Sequence, residues 1–205
     1  MHHVNVKQAS WYRDYAVSSV AYGKKEEALP LFLLSQLLGG GKTSRLYAAL
    51  VVEQKIATNV DVGYNGFVMG PGAFSVSAVP APGVSLVQIE HAVDAVIEKA
   101  LKDGFAAEEI TRAKTLLKAE TLYARDGLGS MGRIMGWVRM CGLPADYFTR
   151  WPQLIEDVTP EQILAAGKAN LVATHGVTAE LLPGDALPEG AQAPTGLDLG
   201  KGHAP

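Results

Sequence analysis

Apolar and polar residues alternate along several segments of this chain, and a period of two is typical of strands that bury one face. In the segment 11–21, the positions that share one side are Trp11, Arg13, Tyr15, Val17 and Ser19. Strand-like segments return at 56–64, 72–79 and 175–182, with a glycine-rich connection at 65–71. We therefore expect four strands, of which 56–64 and 72–79 form a hairpin.

Between the strands, apolar residues recur at helical spacing. Ser85 and Thr159 are each followed three residues later by Gln, which is the spacing of a capping box at a helix start. Three glycines end the first helix, and Thr43 or Ser44 is expected to cap the second through its hydroxyl. The expected helices are 24–38, 43–55, 85–102, 107–140 and 159–171, with a kink or break near Asp126.

Strands that bracket clusters of helices predict an α+β fold with helices layered on a mostly antiparallel sheet. From Pro183 onward the composition changes to Gly, Ala, Pro and isolated charges. Such a segment buries too little apolar surface to offset the entropy lost on ordering. We therefore expect one domain at 1–183 and a flexible tail at 184–205.

The overall composition argues against two classes of partner. The net charge is −3 with both signs scattered, whereas a nucleic-acid-binding protein would present a basic face. No apolar run approaches the roughly 20 residues of a membrane span. The single cysteine, Cys141, excludes an intrachain disulfide and is expected to be buried as a small apolar residue. We expect a soluble chain, and the compartment stays open between cytoplasm and periplasm.

The residues Gly41-Lys42-Thr43 match the last part of a phosphate-binding loop. The first glycine of that fingerprint would fall at Gln36, and the preceding residues have a helical pattern, whereas a phosphate-binding loop follows a strand. Nucleotide binding is therefore kept only as a third hypothesis. It predicts that ATP with Mg²⁺ raises the melting temperature by mass action.

The run Leu-Leu-Gly-Gly-Gly-Lys-Thr-Ser-Arg-Leu-Tyr at 37–47 resembles a segment of the pitrilysin/insulinase-type zinc metallopeptidases, the processing-peptidase group. Further pieces follow in the order found in the second, inactive half-domain of that family. They are Ala-Leu-Val-Val-Glu-Gln-Lys-Ile-Ala-Thr-Asn-Val at 49–60, Gly-Ala-Phe-Ser-Val-Ser-Ala-Val-Pro-Ala-Pro-Gly at 72–83 and Glu-Glu-Ile-Thr-Arg-Ala-Lys at 108–114. The resemblance implies the same α+β architecture, in which half-domains face each other around an enclosed chamber.

The catalytic halves of this family carry an inverted His-x-x-Glu-His helix, whose histidines hold zinc while the intervening Glu acts as base. Only Glu90-His91 places a carboxylate beside an imidazole here, and the missing histidine would have to stand at Val87. The histidines of this chain are His2, His3, His91, His175 and His203. The resemblance therefore implies no catalytic residue, no metal ligand and no cofactor in this chain, with zinc held by a partner catalytic domain.

The resemblance also suggests where substrate is handled. The glycine-rich segment that precedes Ser-Arg-Leu-Tyr in the family corresponds here to Gly39, Gly40, Gly41 and Lys42. A helix stop that lets two backbones approach closely explains these glycines without a ligand, so both interpretations stay open.

Many family members hold the substrate backbone with an Arg and, seven residues later, a Tyr. The resemblance places Val51 and Thr58 at those two positions. Val51 offers no hydrogen-bond donor and Thr58 only a short hydroxyl. This departure implies a passive lining role or a different register, and Arg45 and Tyr47 are alternative polar groups nearby.

We expect a non-catalytic, C-terminal half-domain of a zinc metalloendopeptidase, which forms one wall of the peptide-binding chamber and supports the zinc-bearing domain. The expected partners are a catalytic half-domain with His-x-x-Glu-His, on the same polypeptide or a separate subunit, and a peptide substrate. A dimer of this chain is a further expected assembly. The alternative is a structural homologue without a peptidase role, similar to the core proteins of a respiratory complex. The cleavage preference is left open.

Overall fold

One sheet organises the fold of this chain, which the computed structural model describes at residues 2–3, 8–125 and 128–184. Its strands are β1 His2–His3, β2 Ser10–Val17, β3 Ala57–Asn65, β4 Gly72–Pro80 and β5 Gly176–Pro183. Their order is β1-β5-β2-β4-β3, and only β1 runs parallel to its neighbour. The four predicted strands, the hairpin and the α+β class are confirmed, whereas β1 was not predicted.

Strand β2 ends four residues before the end of the predicted segment. Ser19 is fully buried, and its hydroxyl lies 3.1 Å from the Val68 carbonyl oxygen and 2.9 Å from that of Gly70. The backbone amide of Tyr22 donates to the same hydroxyl at 3.0 Å. Residues after Val17 therefore form a turn, whose buried serine imitates the alternation of a strand.

The described helices lie mainly on one side of the sheet. Helix α2 begins with one α-helical turn and continues as a π-helix. The bounds are α1 Ala28–Gly39, α2 Arg45–Tyr47 with Ala48–Glu53, α3 Leu86–Asp103, α4 Ala107–Arg125, α5 Leu128–Met140, α6 Tyr147–Glu156 and α7 Pro160–Asn170. Short 3₁₀ turns precede α1 at Lys25–Glu27 and follow α7 at Ala173–His175.

Helix α1 forms the centre of the core. Eight of its 12 residues are buried, and it packs on β3, α2, α4, α6 and α7. A helix that is apolar on nearly every side must be enclosed by other elements, because no side is left for water. The carboxyl end of α1, which carries the glycine segment, is therefore held between the sheet and the helical layer.

Two of the predicted helix caps are confirmed and one is wrong. The hydroxyl of Ser85 accepts from the Gln88 amide at 3.2 Å, and the hydroxyl of Thr159 accepts from the Gln162 amide at 3.3 Å. Both glutamines return the bond, which completes two capping boxes. At α2 the cap position is Ser44, but its hydroxyl donates to the Gly41 carbonyl at 2.7 Å instead of capping the helix.

Helix α6 was not predicted, because Pro152 lies inside it and its apolar residues are few and large. Phe148, Trp151 and Ile155 form its buried face, at the spacing of a helix. The predicted break near Asp126 and, apart from Gly184, the predicted tail at 184–205 lie outside the described residues. No helix in the described ranges combines the length and the apolar composition that a membrane crossing requires.

The two faces of the sheet differ. On β4, Phe74, Val76 and Ala78 are buried under the helices, whereas the alternate residues Ser75 and Ser77 are only partly buried. The same alternation runs along β2. In the described part of the chain, helices therefore cover one face and leave the other without a helical layer.

A buried arginine joins helix α3 to the covered face. Arg13 on β2 is 4% exposed and forms ion pairs with Glu90 and Asp94, which lie one turn apart on α3. Its guanidinium also donates to the Thr178 hydroxyl at 2.9 Å and lies 5.0 Å from the centre of the Trp11 ring. A buried guanidinium is tolerated when each of its groups is paired in this way.

Candidate functional site

The glycine segment forms the junction between α1 and α2. A side chain at Gly39 would place its Cβ only 2.3 Å from Val62 Cβ on β3, and one at Gly40 only 2.5 Å from the Gln36 carbonyl oxygen. Gly41 has a φ of 104°, in a region that side chains disfavour. The three glycines are therefore required by packing and backbone geometry, and a contact of Lys42 or of the glycines with substrate stays a prediction.

The space beside this junction is too small for a phosphate. The cavity between Gly40, Thr43 and Ser44 on one side and Glu109 and Arg112 on α4 has a volume of about 10 Å³. That volume holds one water molecule at most. The segment also follows helix α1 rather than a strand, so the structural context of a phosphate-binding loop is absent.

Val51 lies in the π-helical part of α2. The amide of Gln54 donates to the carbonyl of Ala49, five residues back, at 2.9 Å, which is the bonding pattern of a π-helix. Val51 is half-buried and packs against the main core. The helix ends at Glu53, and Lys55, two residues later, has a φ of 53°. Val51 therefore has a packing role, and its role in binding substrate stays a prediction.

Thr58 lies in a β-bulge at the start of β3. Ala57 pairs with Pro80 and Asn59 with Val79, which leaves Thr58 as the extra residue. Its side chain is exposed, and its hydroxyl donates to the Val79 carbonyl at 3.3 Å. Thr58 is therefore accessible, although its single donor is already engaged.

The predicted site residues do not form one cluster. The glycine segment meets β3 at Val62, and Thr58 lies four residues earlier, about 13 Å away along the strand. Val51 belongs to the helix that leads into the start of β3, so it lies at the Thr58 end. The structure thus provides two separate locations, one at each end of this stretch of β3.

The alternative polar group Arg45 is engaged in packing. Its guanidinium forms an ion pair with Glu109 on α4 at 2.7 Å, and it lies 5.8 Å from the centre of the Phe105 ring. Glu109 also accepts from the backbone amide of Ala106 at 2.8 Å. Arg45 therefore links the start of α2 to the start of α4.

The titratable side chains that the structure describes show no convergence on a metal site. Within the described ranges, no three His, Cys, Asp or Glu side chains come close enough to hold an ion. His91 and His175 are both exposed, on α3 and just before β5 respectively. The side chains present do not fit a zinc ion, which requires at least three converging protein ligands. Cys141 is buried, and burial raises the pKa of its thiol.

The uncovered face of the sheet is the broadest feature that sequence reasoning missed. Strand register places Asp14, Ser75 and Gly63 in one row across it, and Tyr12, Ser77 and Asp61 in the next. Small side chains line its middle, and two carboxylates are its charged groups in these rows. The signal was present in the sequence, because the alternate positions of β4 are small wherever its buried positions are large.

An aromatic cleft of about 310 Å³ lies beside β3, one of the two edge strands of the described sheet. Phe32, Phe67 and Trp151 meet there with ring centres 5.2 to 5.5 Å apart. Tyr64 and Tyr147 flank them, and burial raises the pKa of both phenols, that of Tyr147 to about 12. This cluster joins α1, β3 and α6, and sequence reasoning missed it because α6 was not predicted.

Comparison with known proteins was made on sequence and on structure. The family model described as the peptidase M16 inactive domain matches residues 10–117, which is more than half of the chain. No curated protein sequence matches significantly. The family match covers β2 to most of α4, and so includes the glycine segment, Val51 and Thr58.

Solved structures share the fold at low sequence identity. The inactive peptidase domain of a provisionally assigned zinc protease from Bordetella parapertussis is 19% identical with a TM-score of 0.79, over 95% of this chain and 99% of that one. A protease from Helicobacter pylori is 20% identical with a TM-score of 0.77, over 89% and 43%. A chain of Complex III2 from Candida albicans is 14% identical with a TM-score of 0.74, over 88% and 44%.

This chain thus spans less than half of the Helicobacter pylori and Candida albicans chains but nearly all of the Bordetella parapertussis domain. The TM-scores of 0.74 to 0.79 establish a common fold, and the family model adds the sequence evidence. The chain belongs to the peptidase M16 inactive-domain family, as its resemblance to the second half-domain of these zinc metallopeptidases indicated.

Proposed function

We propose that this chain is the non-catalytic half of a zinc metalloendopeptidase and forms one wall of its peptide-binding chamber. The observation that carries the proposal is the sheet face without a helical layer. A half-domain that faces a partner across a chamber needs one broad surface free of its own helices. Small residues such as Ser75 and Ser77 in the middle of that face leave room for an extended peptide.

The zinc ion is proposed to belong to a partner half-domain with His-x-x-Glu-His, on the same polypeptide or on a separate subunit. Support comes from the described histidines His91 and His175, which are exposed on separate elements of the fold. When bound in the partner, zinc supplies a nucleophilic water at neutral pH. The residues of this chain contribute surface and support to that reaction.

The proposed substrate contacts of this half are passive. Val51 packs against the core, and the Thr58 hydroxyl is engaged by its own strand partner. Neither side chain replaces the Arg and Tyr that hold the substrate backbone in many relatives. The glycine segment with Lys42, which packs on the covered side of β3, and the exposed Thr58 then bound the chamber only along this edge of the sheet, and specificity is decided mainly by the partner half.

The experiment reconstitutes the chain with a His-x-x-Glu-His half-domain encoded in the same or a neighbouring gene. Cleavage of a fluorogenic peptide is compared for Ser77→Trp, on the uncovered face, and Thr115→Trp, on the exposed side of α4. We expect kcat/KM to fall at least tenfold for Ser77→Trp and to stay unchanged for Thr115→Trp. Urea unfolding of both variants should match that of the natural chain. Equal activity of the two variants would contradict a chamber wall on this face.

A second candidate function is a structural subunit without a peptidase role. The fold similarity to a chain of Complex III2 from Candida albicans favours it, as does the absence of the Arg and Tyr pair at Val51 and Thr58. The two functions differ in their partner. A partner that binds this chain stably but lacks His-x-x-Glu-His would support the structural function.

A further inference from the structure

A second, separate cleft lies between helices α3 and α7, on the covered side of the sheet. Its volume is about 630 Å³, within the range of small-ligand sites. The floor is apolar and formed by Tyr15, Ile97, Leu101 and Leu171, each less than a tenth exposed overall. This cleft involves none of the residues that the resemblance assigns to substrate handling.

Close helix packing fixes the two walls relative to each other. A Cβ at Gly167 on α7 would lie 2.4 Å from Leu101 Cδ2 on α3, and a Cβ at Gly104 would lie 3.7 Å from Leu164 Cδ1. Later residues of α3 therefore face earlier residues of α7, so the two helices run antiparallel. Lys168, which follows Gly167, consequently lies at the level of Leu101.

The rim of the cleft is negative at one end. Asp94 lines the cleft, and with Glu90 it surrounds the single guanidinium of Arg13. Two carboxylates around one guanidinium leave one net negative charge, and Glu98, one turn further along α3, adds a second. Arg13 also holds Asp94 in place, so this end presents an oriented anionic group.

The rim is positive at the other end. Lys102 on α3 and Lys168 on α7 both line the cleft and both are exposed. Neither ammonium forms an ion pair with another residue of the described chain. Two cations therefore lie across the cleft from each other, with no anion of the described rim between them.

The spacing of the two ends sets the length of a matching ligand. Asp94, the far limit of the negative end, and Lys102 are eight residues apart on α3, which corresponds to about 12 Å at the rise of an α-helix, and Glu98 lies midway between them. An extended peptide of roughly three to four residues spans that distance. The cleft thus combines a negative end, an apolar floor and a positive end at peptide length.

We propose that this cleft binds short apolar peptides with free termini. The peptide amino group lies at the Asp94 and Glu98 end, its carboxylate lies at Lys102 and Lys168, and its side chains cover the apolar floor. Peptides of this kind are the products of endopeptidase and exopeptidase reactions. All residues of this site belong to the chain itself, so peptide binding here can be tested independently of the chamber function.

The test is calorimetric titration of the full chain with the tetrapeptide Ala-Leu-Leu-Ala. We expect saturable binding with one peptide per chain. Acetylating the amino end or amidating the carboxyl end should each weaken binding about two- to fivefold, the range for one exposed ion pair. No binding at millimolar peptide, or equal affinity for the doubly capped form, would overturn the proposal.

Rim variants locate the site. We expect Glu98→Gln to weaken binding of the free-ended peptide about two- to fivefold without affecting binding of the amino-acetylated peptide. We expect Lys168→Ala to weaken binding of the free-ended peptide to the same extent without affecting binding of the amidated peptide. The matched controls are Glu53→Gln and Lys99→Ala, both exposed and outside the cleft. An affinity that is unchanged in the rim variants, or that falls equally in the control variants, would contradict this location.

Discussion

Gly39 packs closely against the neighbouring strand, since a Cβ there would lie 2.3 Å from Val62 Cβ on β3. We predict that Gly39→Ala lowers the free energy of unfolding by about 1–3 kcal/mol, because the new methyl group overpacks this contact. Gly63→Ala is the matched control on the same strand, where a Cβ has open space. Urea unfolding measures both. A Gly39→Ala variant as stable as the control would contradict the packing role of the segment.

Arg13 forms ion pairs with two carboxylates of α3, Glu90 and Asp94. Replacing it with Met leaves Glu90 and Asp94 without their partner, which for a buried pair costs about 3–5 kcal/mol. We expect about 2–3 kcal/mol, because the two carboxylates are 32% and 38% exposed and water screens them. The variant Arg13→Met with Glu90→Gln and Asp94→Asn should regain most of that loss in urea unfolding. No recovery would mean that packing of the Arg13 side chain matters more than its charge.

Tyr147 gives a pH-dependent stability at alkaline pH. Burial raises the pKa of its phenol to about 12 in the folded chain, against about 10 when unfolded. The folded state therefore holds the proton more tightly, so its stabilisation is complete below pH 10 and is lost as the pH rises towards 12. The lost stability amounts to at most about 1.4 kcal/mol per pH unit for one group.

The Tyr147→Phe variant keeps the ring and removes this ionisation. We predict a shallower fall of the unfolding free energy between pH 10 and 12 than in the natural chain, with some slope left from Tyr15 and Tyr64, whose phenols also have raised pKa values. Urea unfolding at a series of pH values measures both slopes. Equal slopes would show that the Tyr147 phenol is not buried as described.

At the scale of elements, the capping box of α7 can be tested directly. We predict that Thr159→Ala lowers the unfolding free energy by about 1 kcal/mol, because the Gln162 amide loses its acceptor, whereas Thr159→Ser retains the bond. Thr111→Ala on α4 is the matched control, since that hydroxyl donates to a carbonyl within its own helix. A loss for the control as large as that for Thr159→Ala would argue against capping.

The elements that the sequence predicted are those with local signals. The capping boxes at Ser85 and Thr159 and the strand alternation depend on residues within a few positions, so no tertiary knowledge was needed. Helix α6 was not predicted because Pro152 lies inside it and because its stability comes from aromatic packing against α1. The predicted hydroxyl cap of α2 was wrong at Ser44, because that hydroxyl donates to the Gly41 carbonyl instead.

The candidate sites were predicted only in part for the same reason. The glycine segment was visible in the sequence, but its steric partner Val62 lies more than 20 residues away. Glu98 and Lys168 both line the cleft between α3 and α7, and Asp14 and Asp61 both lie on the uncovered face of the sheet. Such pairs follow from strand order and helix packing, which no single segment encodes.

At the scale of the whole molecule, the chain has the architecture of a half-domain with one uncovered surface. The sheet buries one face under the helices, and the proposed function assigns the other face to a partner or a peptide. The fold match covers nearly the full length of the Bordetella parapertussis domain and less than half of the Helicobacter pylori protease, so this fold also occurs as one part of a longer chain.

The most direct test of the account measures peptidase activity with saturating zinc, for this chain alone and after a His-x-x-Glu-His half-domain is added. We predict no peptide cleavage by the chain alone, and cleavage that rises with added partner and saturates at one half-domain per chain. Zinc-dependent cleavage by this chain alone, with stoichiometric bound zinc, would contradict the account, because it would place the catalytic centre in a chain described here as the non-catalytic half.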